Sequence, residues 1–147
     1  MKKVITLVLL MTSSSLMAED GKIFPASMCD AVNYSDRVNL DRTDGRLKNT
    51  GSSSIDILCP IVKDDTSQQS INDLWVIGNY NNNGTCRGMT EDPYGNVVAG
   101  ANKMIFSGTN FYTSIEKDLD SNHDKAMYYM ACSLPKNSTL SFYHFVE

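Results

Sequence analysis

Apolar residues recur at every second position in two stretches of strand length. In Ser52–Lys63 (SSSIDILCPIVK), Ile55, Ile57, Cys59 and Ile61 share one side, while Asp56, Leu58, Pro60 and Val62 share the other. In Ala126–Pro135 (AMYYMACSLP), Ala126, Tyr128, Met130, Cys132 and Leu134 fall together. Successive side chains of a strand leave on opposite faces, so this spacing of β-branched and aromatic residues predicts strands with one face in a core. Each carries a cysteine on the inward side, where a disulfide can tie it to a neighbour from within. These two strands are expected at the centre of the fold.

The remaining chain reads as shorter strands separated by turns. Lys22–Ala26 is extended and broken by Pro25, Asp41–Gly45 is a turn, and Arg46–Asn49 is a short strand. Pro60 inside the first central strand predicts a bulge, or a position whose amide has no sheet partner. Asp64–Asp73 is a polar connection, and Leu74–Tyr80 is a strand carrying the single tryptophan, Trp75. Asn79–Gly84 (NYNNNG) predicts a turn, because asparagine and glycine tolerate positive φ. Thr85–Met89 resumes a strand, and Asp92–Asn96 (DPYGN) turns again. Val97–Ser107 and Thr109–Ile115 are expected as two strands split by Gly108, with a polar loop at Asp118–Asp124 and a closing strand at Leu140–Val146. Without a helical period, the whole predicts an all-β, antiparallel β-sandwich of about seven to nine short strands.

The first 18 residues change that picture only by leaving it. Lys2 and Lys3 precede the apolar Val4–Met11, and Ala18 is a small residue at a cleavage position. The run is too short to span a bilayer, which takes about 20 residues, so residues 1–18 read as a secretory signal peptide. The expected mature chain, 19–147, is one secreted domain, periplasmic or extracellular, with no membrane span after signal removal. Loss of Lys2 and Lys3 leaves 11 of 13 basic side chains against 17 acidic ones, a net charge of −6. That balance, with the basic residues scattered, argues against nucleic acid as a partner.

Four cysteines, Cys29, Cys59, Cys86 and Cys132, all lie in the mature part, and an even count in an exported chain predicts two disulfides. The absence of a CxxC spacing argues against a zinc or redox site. Of the three pairings, Cys29–Cys59 with Cys86–Cys132 is expected, because each then joins a looser segment to a central strand.

Candidate chemistry is sparse. Asp118, Asp120, Asn122 and Asp124 place oxygen-bearing side chains at alternate positions of one loop, as a loop that wraps Ca²⁺ does. His123 stands where an EF-hand needs glycine and Tyr129 where it needs glutamate, so only a simpler calcium loop, or a solvated hairpin loop, fits. His123 and His144 have no nucleophile in a recognisable motif beside them. Asp64-Asp65 and Glu91-Asp92 are adjacent pairs that point apart on a strand. The chain therefore reads as non-enzymatic. Among Trp75, Tyr80, Tyr94, Tyr112, Tyr128, Tyr129 and Tyr143, most are expected as core or cross-strand partners. Tyr80 and Tyr94, on turn edges, are the expected exposed rings for stacking on a sugar.

The order SMC (Ser27–Cys29), GRLKN (Gly45–Asn49), CPIVKD (Cys59–Asp64), LWV (Leu74–Val76), Cys86, YYMACSLP (Tyr128–Pro135) and SFYHFVE (Ser141–Glu147) resembles small secreted two-disulfide bacterial proteins of unknown function. The resemblance covers nearly the whole mature chain and implies a two-disulfide β-sandwich. It transfers no catalytic or binding residue. The expected role is a binding or interaction module for a glycan or protein at the cell surface. A structural subunit of an extracellular assembly and a small hydrolase are the alternatives.

Overall fold

A computed structural model describes residues 21–63, 71, 73–100, 104–116 and 126–146. Ten strands form among them: β1 (Gly21–Pro25), β2 (Asp30–Ala31), β3 (Leu40–Asp41), β4 (Leu47–Asn49), β5 (Ile55–Ile61), β6 (Asp73–Glu91), β7 (Val97–Gly100), β8 (Met104–Glu116), β9 (Met127–Leu134) and β10 (Thr139–Val146). Every pairing between them is antiparallel. Two short 3-10 turns, Ala26–Met28 and Tyr34–Asn39, complete the described segments. The all-β antiparallel sandwich with two disulfides is as expected.

The centre is β6 rather than the two strands the alternation singled out. Over 19 residues it pairs with four neighbours. Along one edge, β10 covers Asp73–Asn79 and β9 covers Thr85–Glu91. Along the other, β8 covers Asp73–Cys86 and β7 covers Met89–Glu91. The N-terminal half of β6 therefore belongs to one layer, with β10, β1, β4 and β3, and its C-terminal half to the other, with β9, β5 and β2. Alternation runs through both halves: Leu74, Val76, Gly78, Tyr80, Gly84, Cys86, Gly88 and Thr90 all face inward.

The Asn79–Gly84 segment is accordingly not a hairpin turn. Tyr80 pairs with Gly108 and Gly84 with Phe106, so β6 sets three residues, Asn81–Asn83, against the single Ser107 of β8, a bulge of two extra residues. Bulges bend a strand, and this one lies where β6 passes from one layer to the other. Asn81 ties it to the β9–β10 connection, its amide donating to Ser138 Oγ and its side chain to the Asn137 carbonyl. Likewise Gly108, at φ 102°, lies within β8 and does not separate two strands. At Gly78 the β10 backbone approaches so closely that a Cβ would lie 2.3 Å from the Thr139 carbonyl.

The two layers share one core. Ile55, Ile57, Cys59 and Ile61 of β5 and Met130, Cys132 and Leu134 of β9 are buried as their spacing requires, together with Tyr143 and Phe145 of β10. Phe24 of β1 stacks on both rings of β10, with centroids 5.5 Å apart in each case. Tyr143 reaches across the core to donate to the Pro60 carbonyl. The register of β5 with β9 shows no bulge at Pro60. β2 covers only Ile57 and Leu58, so the missing amide hydrogen costs no ladder bond.

Buried polarity is concentrated at Asn49. Its side-chain amide donates to the Ser53 and Leu134 carbonyls, both at 2.8 Å, and its Oδ1 accepts from the Gly51 amide. Its backbone exchanges bonds with Ser138 and Asn137. A buried amide is tolerated only when paired in this way.

The disulfides are Cys29–Cys59 and Cys86–Cys132. Cys86 is not in a looser segment, as expected above, but in the central strand, directly opposite Cys132. Their sequence separations, 30 and 46, give a chain-entropy stabilisation of about 4 kcal/mol each. The double variant Cys86→Ala/Cys132→Ala is expected to lose about that amount in denaturant unfolding, and an unchanged unfolding midpoint would contradict it. Burial pushes the Tyr143 phenol up to about 12. The unfolded chain then releases this proton near pH 10 while the folded one holds it, so stability is full below pH 10 and falls as pH rises toward 12. Tyr143→Phe should flatten that alkaline decline and cost roughly 1 kcal/mol at neutral pH for the lost hydrogen bond. A decline as steep as that of the parent would refute it.

Candidate ligand-binding face

The outward residues of the β5–β9–β6 layer form three rows, because directly opposed residues in antiparallel strands project from the same face. The middle row is Pro60, Tyr129 and Met89, running from β5 through β9 to β6. On one side lie Leu58, Ala131 and Arg87; on the other lie Met127, Glu91 and, from β7, Val97. Leu58, Met127 and Val97 are exposed apolar side chains. The face is therefore mostly apolar, with one aromatic ring in its middle row and one charged side chain, Arg87 or Glu91, in each outer row.

Tyr129 is held in place by charge-assisted bonding. Its hydroxyl donates to Glu91 Oε1 at 2.5 Å, diagonally across the β9–β6 pair. Burial first, and then the hydrogen bond and negative charge of Glu91, push the Tyr129 phenol up to about 12, while the positive charge of Arg87 pulls the other way. Arg87 extends toward β7, where a Cβ on Gly100 would meet its guanidinium nitrogen at 2.9 Å. Glycine at that position leaves room for the guanidinium. The ring is thus bonded to the Glu91 carboxylate, an acceptor, in the row on one side, and Arg87, a donor, belongs to the row on the other.

The expected site residues fare differently. Tyr80 is 1% exposed and continues the inward alternation of β6, so its ring packs in the core and offers no stacking face. Tyr94 is 87% exposed at the tip of the turn joining β6 to β7. That turn is ordered from below by Asp92, whose Oδ1 accepts from the amides of Tyr94 and Asn96 and whose Oδ2 accepts from the Asn96 side chain. Glu91 and Asp92 do point apart, one to the sheet face and one into the turn. Asp118, Asp120, Asn122 and Asp124 lie outside the described residues, as does His123. Among the described residues no group of three His, Cys, Asp or Glu side chains could hold a metal ion. His144 is half-buried on the outer face of the other layer, opposite Trp75 on β6 and Ile23 on β1.

Tyr129 was the signal within reach of sequence reasoning. Tyr128 and Tyr129 are neighbours, and Met130, Cys132 and Leu134 point inward, so Tyr129 must point out. Its association with Glu91 and Arg87 depends on the β6–β9 register, which no local spacing reveals.

No protein-family model matches the chain, and no curated protein matches it either. Among solved structures, the low-affinity xylan binding module CBM86 of the gut symbiont Roseburia intestinalis is similar with a TM-score of 0.50 and 14% identity, over 87% of this chain and 96% of that one. The GH26-CBM35 β-(1,4)-mannanase of Podospora anserina has a TM-score of 0.47 and 10% identity, over 86% of this chain and 28% of that one. The first likeness spans nearly all of both chains and shows a shared β-sandwich fold.

The electrostatic setting of Tyr129 can be read directly by ultraviolet titration of the phenols. Glu91→Gln should move the Tyr129 transition down from about 12 toward the ordinary tyrosine value, and Arg87→Ala should move it further up. Shifts in the same direction for both variants would show that the two charges do not flank the ring.

Proposed function

We propose that the protein is a secreted, non-enzymatic module that binds a glycan on the outer face of the β5–β9–β6 layer, with Tyr129 as the stacking ring. The observation that carries this reading is the ring itself, in the middle row of an outer sheet face, bonded to Glu91 and with Arg87 in the row on its other side. A sugar ring offers C–H bonds to an aromatic face and hydroxyls that both donate and accept. Tyr129 supplies the apolar surface, Glu91 accepts from hydroxyls, and Arg87 donates to them. The sandwich fold shared with a xylan binding module supports the same reading.

Export fits the rest of the molecule. Residues 1–18 have the composition of a signal peptide, and both disulfides belong in an oxidising compartment. Among the described residues no helix is long and apolar enough to cross a membrane.

Affinity electrophoresis of the oxidised protein through gels containing xylan, mannan or other soluble polysaccharides tests the proposal. At least one polysaccharide should retard the protein. Tyr129→Ala should weaken that retardation tenfold or more without lowering the melting temperature by more than a few degrees. Tyr34→Ala, at an exposed ring on the 3-10 turn after β2 and outside the three rows, should leave it unchanged. Free migration through every polysaccharide, or equal retardation of the Tyr129 variant, would overturn the assignment.

A further inference from the structure

We infer that the ligand is an unbranched stretch of neutral polysaccharide, bound along its length from Tyr129 to Tyr94. This rests on the glycan-binding reading above and adds the form of the ligand. Tyr129 lies opposite Met89, and the chain runs from Met89 through Glu91 directly into the turn that carries Tyr94. At about 3.3 Å per extended residue that path is at most roughly 16 Å, the span of about three pyranose rings laid end to end. Glu91 and Val97, paired across β6 and β7, occupy the interval on the same face.

Three observations make this a track for a chain. Tyr94 is presented by a turn with its backbone amides already bonded to Asp92, so little ordering remains to oppose binding there. The interval between the rings is lined by a half-buried carboxylate and an exposed valine, one for hydroxyls and one for the ring faces. Arg87 and Glu91 carry opposite charges around Tyr129, which leaves the platform without a net charge. The mature chain's excess of acidic residues opposes a polyanion as well. A neutral sugar chain suits both facts, and a polyuronate suits neither.

Two rings acting on one chain are bivalent, so affinity must depend on ligand length. The test is calorimetric titration with xylo- and manno-oligosaccharides of one to six units, against the parent, Tyr94→Ala and Tyr129→Ala. For the parent, affinity for one of these series should rise tenfold or more between two and four units and then level off. Tyr94→Ala should bind the four-unit ligand no more tightly than the two-unit one, and Tyr94→Trp should restore the rise. Affinity independent of length, or a rise that persists in Tyr94→Ala, would overturn the inference. Either result could still leave polysaccharide retardation dependent on Tyr129, so the function proposed above would survive. Loss of retardation for every polysaccharide would remove both.

Discussion

β6 has to serve two sheets at once, and most of the architecture follows from that requirement. A strand has two hydrogen-bonding edges, and those of β6 are shared among β7, β8, β9 and β10. For β9 and β10 to follow opposite halves of one edge and still face each other across a core, β6 must bend. The Asn81–Asn83 bulge supplies the bend, and glycines at 78 and 84 keep the inward side free of bulk near it. The cross-core bond from Tyr143 to Pro60 and the paired groups of Asn49 then join the layers at places where ladder bonds are missing.

The disulfides reinforce this arrangement at its inner surface. Cys86–Cys132 links the hydrogen-bonded neighbours β6 and β9, and Cys29–Cys59 joins the residue just before β2 to that strand's ladder partner β5, so neither sets which strands lie together. What they remove is freedom of the unfolded chain. Their inward position also explains why the outer face of the β5–β9–β6 layer is free for other residue types: the stabilising groups are on the opposite side of the pleat. The stapled sheet fixes the strand backbone that carries Tyr129, Glu91 and Arg87.

Part of this face was within reach of the chain's own pattern. Period-2 spacing assigns Ile55, Ile57, Cys59 and Ile61 to the interior and, by the same count, Tyr129 to the exterior. Tyr80 shows how local chemistry can mislead. Three asparagines and a glycine permit a turn, and a ring at its edge would be exposed. The inward count from Leu74 through Val76 and Gly78 to Tyr80 pointed the other way, and pairing along both edges of β6 decides in its favour.

The amino-acid sequence by itself determined the strand class and the inward faces, those of Cys59 and Cys132 included, because each follows from a repeat of two residues. Four things were decided only by the tertiary structure: which cysteines pair, that β6 is central, that NYNNNG bends a strand instead of reversing the chain, and that Tyr129 meets Glu91. Each depends on the register between strands distant in the chain. Register is set by the summed fit of a buried face against its partners, and no single stretch of residues carries that sum.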